Sequence, residues 1–278
     1  MEDAKAGKGA ADNIQPPVTA IRRCRHGHMM YLRGDRYVGR SLELYGEYSE
    51  AEVDLFRQIV HPGHVVVEAG ANIGSLTIPL ARRVGDKGRV FAFEPQRAVY
   101  NVLCANLALN GLMNVDALRS AVGGQTGQVS IPVLDYTGTG NYGGVTLGAS
   151  RKGPAESVPV VNIDALNLPK LDFLKIDVEG HELAVLQGAA ATIDRLRPAL
   201  FVENDRRTLS RQLIEMIQAH NYRLWWHLSP LYRADNFHGN PDNVFGNVLS
   251  INMLGLPMER KTAVTHLRPV EGAEDWWR

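Results

Sequence analysis

Residues 65–94 read VVVEAGANIGSLTIPLARRVGDKGRVFAFE, and the fold follows from this stretch. Val65, Val66 and Val67 are consecutive β-branched residues, as expected of a parallel strand buried on both faces. The run stops at Glu68-Ala69-Gly70-Ala71-Asn72-Ile73-Gly74. Gly70 and Gly74 permit a sharp turn and let a ligand approach the backbone, because no Cβ stands in the way. A helix is expected from near Ser75 to about Val84. Gly85 and Gly88 then bracket a turn, and Val90-Phe91-Ala92-Phe93 forms the next strand, ending on Glu94. Strand, glycine turn, helix and acid-ended strand make a nucleotide-binding βαβ half, in which the acid accepts hydrogen bonds from ribose hydroxyls.

The dinucleotide fingerprint G-x-G-x-x-G is not matched: the pattern is E-x-G-x-N-x-G, with Asn72 in the middle. That suits a ligand with no pyrophosphate to cradle. S-adenosylmethionine is such a ligand; its amino-acid tail can lie along Gly70 and its ribose can meet Glu94. The residues also allow an ordinary glycine-rich βα turn. Glu94 falls about 20 residues after the turn, which favours the cofactor reading.

Outward from this unit the composition bounds the function. Lys+Arg and Asp+Glu are both 30 in a chain of 278 residues, so no general nucleic-acid binding is expected. Cys24 and Cys104 form no C-x-x-C pair, which argues against a zinc site or a disulfide framework. No apolar run is long enough for a membrane span, and the N-terminal stretch has no signal-peptide core, so a cytoplasmic location is expected.

Along the chain, residues 1–17 read as a disordered tail and 18–44 as a β-hairpin turning at Gly34-Asp35. This hairpin is a candidate flap over the site or interface between copies. Residues 45–257 read as one α/β domain. Ser49 and Glu52 have capping-box spacing for its first helix. Tyr45, Glu47 and Tyr48 precede the sheet and either reach the cofactor's edge or pack. Pro95 opens the helix after Glu94 and joins it in the cofactor-binding set. Residues 114–120 form the third strand, and Ser120-Ala121-Val122 would lie beside an adenine. Residues 135–153 read as a mobile loop with the length of a lid. A strand at Phe173–Ile176 delivers Asp177, one helix runs from about Glu182 to Leu196, and Ala199–Val202 is a strand ending on Glu203-Asn204. The count is seven strands with helices on both faces, and 258–278 is a charged tail.

Ligands of open α/β sheets bind at the carboxyl ends of the strands, and four ends here are acidic: Glu68, Glu94, Asp177 and Glu203. Asp177, Glu203 and Asn204 are hard oxygen donors suited to Mg²⁺ or Mn²⁺, which would bind and orient a substrate hydroxyl. The alternative for Asp177 is that it merely caps the helix that follows it. His181 is the candidate general base or a further ligand, or a surface histidine. The aromatic and amide residues at 225–245 (Trp225, Trp226, His227, Tyr232, Asn236, Phe237, His238, Asn240 and Asn243) suggest a pocket for a sugar, with one of the two tryptophans buried.

The stretches VVVEAGANIGSLTIPLA, VFAFEPQ, NLALNG and above all FLKIDVEGHELAVLQGA resemble the FkbM family of S-adenosylmethionine-dependent methyltransferases. The resemblance implies a class I Rossmann-like seven-stranded sheet in the order 3-2-1-4-5-7-6. It implies methyl transfer to an oxygen of a sugar or other hydroxylated small molecule or glycan, or to a peptide nitrogen. Glu68, Gly70, Asn72 and Gly74 would hold the methionine part and Glu94 the ribose, with Asp177 beside the transferred methyl. The layout also resembles catechol and macrolide-sugar O-methyltransferases, whose metal pair is Asp-Asn or Asp-Asp. Gly180 stands where those have a lysine base, so the base must come from elsewhere, and His181 is the candidate. A nicotinamide dehydrogenase and a non-catalytic binding module are the readings from other classes.

Overall fold

The computed structural model describes residues 18–144 and 153–278. In chain order its elements are β1 (Thr19–Cys24), β2 (Gly27–Leu32), α1 (Val38–Tyr45), α2 (Glu50–Ile59), β3 (Val65–Ala69), α3 (Thr77–Val84), β4 (Arg89–Phe93), α4 (Arg97–Leu109) and β5 (Val115–Leu118). There follow β6 (Ala121–Val122), β7 (Gly127–Pro132), β8 (Ala155–Val161), β9 (Phe173–Ile176), α5 (Glu182–Gln187), α6 (Ala190–Leu196), β10 (Ala199–Glu203), α7 (Arg207–Ala219), β11 (Tyr222–Pro230), β12 (Leu249–Pro257) and β13 (Arg268–Pro269).

The main sheet runs β13-β11-β12-β10-β9-β3-β4-β5. Strands β10, β9, β3, β4 and β5 are parallel to one another, and β12 joins antiparallel. Successive strand residues face opposite ways, and the core divides accordingly. Val67, Leu174 and Val202 meet Val185, Ile193 and Ile214 of α5, α6 and α7 on one face. Val66, Phe173 and Phe201 meet Phe56, Leu80 and Leu103 of α2, α3 and α4 on the other. The β-branched run at 65–67 is thus covered on both sides.

The structure corrects several expectations. The N-terminal hairpin turns at Arg25-His26, with β1 and β2 paired from Thr19↔Leu32 to Cys24↔Gly27. Gly34-Asp35 instead leads into α1. Asp35 Oδ1 accepts from Tyr37 N at 2.9 Å, while Gly34 and Arg36 exchange backbone hydrogen bonds with Gly140. The segment 18–44 is therefore a hairpin plus most of a helix. It is fixed to α4 by the buried Asn106, whose Nδ2 donates to Met30 O (2.9 Å) and Ile73 O (2.8 Å).

The helix expected over 182–196 is two helices. Asp164 accepts from the backbone N–H groups of Ala191 (3.1 Å) and Thr192 (2.7 Å), making a new helix start there. A Cβ on Gly188 would lie 2.2 Å from Gly123 O, so the chain can pass this point only as glycine. The sheet has eight strands where seven were expected, because the C-terminal stretch is part of the fold. In β13, Arg268 and Pro269 pair with Trp226 and Trp225. Trp226 Nε1 donates to Asp275 at 3.0 Å, and the Trp226 and Trp276 rings meet edge to face. Both Trp225 and Trp226 are buried.

The tail 1–17 and residues 145–152 of the expected lid lie outside the described residues. The described part of the lid makes defined contacts: Tyr142 is buried, and Gln96 Nε2 donates to Tyr142 O at 2.8 Å. A separate small sheet runs in the order β6-β8-β7, with β7 before the loop and β8 after it. No described helix is long and apolar enough to cross a membrane.

Candidate active site

A cavity of ≈ 930 Å³, solvent at its mouth included, opens at the carboxyl ends of β3, β4, β9 and β10. One half is lined by Gly70, Asn72, Glu94, Pro95, Gln96 and Ser120 to Val122. The other is lined by Tyr48, Glu52, Asp177, Glu179, Glu203, Ser250 and Asn252. Tyr37 and Val38, with Asn141 and Gly143, complete the wall.

The glycine turn sets the first half. Gly70 has φ +85°, and a Cβ there would lie 1.8 Å from Asp177 O. Its N–H and that of Ala71 donate to Phe93 O, which ties the turn to the end of β4. Asn72, at φ +51°, donates its N–H to Glu94 Oε2 at 3.1 Å, and Gln96 N donates to Glu94 Oε1 at 2.9 Å. Glu94 is thereby fixed as a bidentate acceptor. Burial pushes its carboxyl up to about 7, against the pull of the two N–H groups. Ser120 is 3 % exposed, and its Oγ has no hydrogen-bond partner among the described residues. Ordinarily a buried hydroxyl is satisfied, so this one is open to a water or a ligand group. An acid holding a diol, a free hydroxyl and a Cβ-free turn fit the ribose, adenine and amino-acid parts of S-adenosylmethionine.

Two expected cofactor residues stand outside the cavity wall. Glu68 is 0 % exposed beneath the floor, where Thr77 Oγ1 donates to its Oε2 at 2.6 Å. Its carboxyl is pushed up to about 7 by burial, with Lys175 and Thr77 pulling the other way. Gly74, at φ +87°, abuts Leu103: a Cβ would lie 2.8 Å from its Cδ1, so this glycine serves helix packing.

The second half is acidic. Asp177, Glu179 and Glu203 each offer a carboxylate oxygen, and these lie within 4.8 Å of one another. Glu179 takes the place expected of Asn204. The reason is the strand's alternation: Glu203 faces the α2–α3–α4 side with Phe201, so Asn204 falls on the opposite side. There its Nδ2 donates to Ser210 Oγ (2.9 Å) and Met253 Sδ (3.2 Å). Glu179 sits at φ +56° with Oε2 accepting from Arg206 at 2.9 Å. Burial and then Asp177 push its carboxyl up to about 7, and burial, Asp177 and Glu179 push that of Glu203 well above the usual range. Glu203 Oε2 is buried without a hydrogen bond. Three clustered carboxylate oxygens are donors of the type a hard divalent cation would take.

Beneath them lies Lys175, which sequence reasoning missed. It is 1 % exposed, with Nζ 3.2 Å from Asp177 Oδ2, 3.4 Å from Gly70 O and 3.8 Å from Glu68 Oε1. Burial acts to lower its pKa, but Asp177, Glu68 and Glu52 outweigh it and the shift is upward. The signal was a lysine in a four-residue strand buried on both faces. Glu52, Ser250 and Asn252 were also missed as site residues, while Tyr48, expected either at the cofactor's edge or in packing, lines the cavity. Ser250 and Asn252 are alternate residues of β12 and so share a face.

Of the other expected residues, His181 immediately precedes α5, where its carbonyl accepts from Val185 N, and it does not line the cavity. None of residues 225–245 lines it either. Trp225, Trp226 and His227 are buried within β11. Tyr232 and Phe245 pack against Tyr45 in a separate apolar cluster, and Tyr45 Oη donates to Asp242 O at 2.7 Å. Asn236 Nδ2 donates to Asn240 O at 2.7 Å within the same loop. Glu47 pairs with Arg25 at 2.7 Å.

Sheet, glycine turn and acidic cavity together define a Rossmann-like α/β domain built for a nucleoside-bearing cofactor. Residues 68–224 match the methyltransferase FkbM domain, and the chain belongs to that family. It is similar to the methyltransferase sdnD of Sordaria araneosa, 30% identical over 154 residues that cover 44% of this chain and 59% of that protein. It is also similar to the hexuronic acid methyltransferase AglP of Haloferax volcanii, 30% identical over 161 residues that cover 56% of this chain and 57% of that protein. The matched stretch thus spans less than two thirds of these relatives. Among solved structures, an FkbM methyltransferase from Methylobacillus flagellatus KT superposes with a TM-score of 0.46 at 18% identity, covering 73% of this chain and 50% of that one.

Proposed function

We propose that this protein is an S-adenosylmethionine-dependent O-methyltransferase acting on a hydroxylated small molecule, a sugar or glycan unit. The observation that carries the reading is Glu94, held by the N–H groups of Asn72 and Gln96 to receive a diol, one wall away from the carboxylates around Asp177. The cofactor's ribose binds Glu94, its amino-acid tail follows Gly70, and its adenine lies by Ser120 and Ala121. The sulfonium methyl points to the Asp177 half, where acidic side chains favour positive charge. A sugar acceptor is favoured over a peptide because AglP acts, by its name, on a hexuronic acid. The chemistry is in-line transfer: the protein aligns an acceptor oxygen with the methyl and removes the oxygen's proton. Asp177, Glu179 and Glu203 would hold Mg²⁺ or Mn²⁺, which supplies charge to orient an acceptor hydroxyl.

Calorimetric titration with S-adenosylhomocysteine in EDTA, and separately with NADH, tests the cofactor. Binding of the first and silence of the second are expected; no binding of S-adenosylhomocysteine refutes the reading. Mn²⁺ binding, followed by its electron paramagnetic resonance, should be lost in Glu203→Gln. Retention there would count against the metal site.

A further inference from the structure

We infer that Glu52, near the start of α2, is a catalytic residue: it receives the acceptor hydroxyl and takes its proton. The inference rests on the methyltransferase reading. Methyl transfer from a sulfonium to an alcohol must dispose of one proton. As the acceptor O–H bond breaks toward the base, the oxygen forms its bond to the methyl carbon. The C–S pair returns to sulfur, leaving a neutral thioether and a protonated carboxyl, which loses its proton to solvent as product leaves.

The cavity walls narrow the choice of base. Glu94 is committed to two backbone N–H groups in the cofactor half. Asp177 is paired with Lys175 and Glu179 with Arg206. Glu203 belongs with Asp177 and Glu179 to the carboxylate cluster that would hold the cation. His181 is outside the cavity wall. Glu52 remains. It is 4 % exposed, yet it lines the cavity opposite the cofactor half.

Its surroundings hold it in place. Ser49 Oγ donates to Glu52 Oε1 at 2.8 Å, Asn252 Nδ2 donates to the same oxygen at 3.1 Å, and Ser49 Oγ lies 2.8 Å from Ser229 Oγ. Both hydrogen bonds fall on Oε1, so Oε2 is spent on neither. The spacing that looks like a capping box does not act as one: Ser49 is at φ +49° and makes no side-chain cap bond. The pair is spent instead on orienting a carboxylate. Burial pushes Glu52 up to about 7; Lys175, Ser49 and Asn252 pull it down and Asp177 pushes it up. The titratable groups facing it are Lys175 and Asp177 from the β9 end and Tyr48 from its own approach, a phenol held protonated by burial and by Glu52 itself. A base titrating near working pH is the efficient kind.

The test needs no knowledge of the acceptor. Sinefungin is a cofactor analogue with an amine in place of the methyl sulfonium, so its extra ammonium probes what faces the transferred methyl. Calorimetry of S-adenosylhomocysteine and sinefungin is run on the wild type, Glu52→Gln and Glu52→Asp. The expected result is unchanged S-adenosylhomocysteine affinity in both variants, with sinefungin weakened about tenfold in Glu52→Gln and less in Glu52→Asp. Unchanged sinefungin affinity in Glu52→Gln overturns the inference while leaving the methyltransferase reading intact. So does parallel loss of both ligands and of melting temperature in both variants, which would make Glu52 structural. Failure of the wild type to bind S-adenosylhomocysteine overturns the methyltransferase reading itself, and this inference with it.

Discussion

Replacing Lys175 with Met removes the buried ammonium under the cavity floor while nearly keeping the side-chain volume. The ammonium lies 3.2 Å from Asp177 Oδ2 and 3.8 Å from Glu68 Oε1. The Asp177 side chain is 37 % exposed and water can solvate it, so its share of the loss is small. Glu68 is fully buried and cannot be rescued by water. Removing one partner of such a buried pair costs about 3–5 kcal/mol, on the order of 10 °C in melting temperature for a chain of this size. The cost depends on pH. Glu68 titrates in the folded wild type at about 7, raised from 4.5 chiefly by burial and held down by Lys175. Without Lys175 its folded pKa climbs further, so it takes up a proton as pH falls and no longer needs a cation. The penalty should therefore be large near about pH 8 and shrink toward about pH 5. Urea unfolding followed by circular dichroism at both pH values measures it. Lys175→Met/Glu68→Gln should recover about 1–3 kcal/mol of the loss. A penalty below about 1 kcal/mol, or one equal at both pH values, would refute the reasoning.

Gly70→Ala forces a side chain into φ +85° and against Asp177 O. It should cost about 2–5 kcal/mol and abolish S-adenosylhomocysteine binding, and a wild-type unfolding midpoint would argue against the close approach. Ending the chain before Val264 removes β13 and the Asp275 and Trp276 contacts to Trp226. The melting temperature should fall by several degrees; unchanged melting would return this segment to the status of a tail. The wild type itself should lose stability with rising pH. Glu52, Glu68, Glu94 and Glu179 are all raised from 4.5 to about 7, first by burial. Between those values the folded state binds more protons than the unfolded one, so its stability falls across that window. A urea midpoint that rises from about pH 5 to about pH 7 would contradict the shifts.

What could be read from the sequence was what is local. The β-branched run, the glycines and the acid at Glu94 lie within one βαβ unit, and each carries its own physical signal. Most strands and helices from Val65 to Ala219 announce themselves by periodicity in the same way, but the break between α5 and α6 depends on Asp164, well upstream. What escaped depends on which face a residue takes or on partners far along the chain. Asn204 looked equivalent to Glu203 until the strand's alternation put them on opposite sides. The aromatic loop after β11 has the composition of a sugar pocket, but Tyr45 collects it into a separate cluster. The charged C-terminal stretch hid a strand because its partner, β11, has no unmet need visible in sequence.

Glu52 shows why such residues are hard to read. Ser49 and Glu52 satisfy the spacing of a helix cap, and nothing nearby contradicts it. The competing demand comes from Asn252, 200 residues on, which donates to the same carboxylate oxygen. Lys175, Glu68 and Glu52 all fall on the α2–α3–α4 side of the sheet. There, strand residues that carry the apolar core for most of their length become polar at the carboxyl end: Val66 gives way to Glu68, Phe173 to Lys175, and Phe201 to Glu203. Each is a step of two residues along one face of one strand. The same alternation that builds the core therefore delivers three ionisable groups to one end of it. Their charges are tolerable only together, because an isolated charge in that position would be desolvated without a partner. The cavity's chemistry is in this sense an extension of the sheet's register, and the groups that line it and those that brace it from below must be perturbed as a set to be told apart.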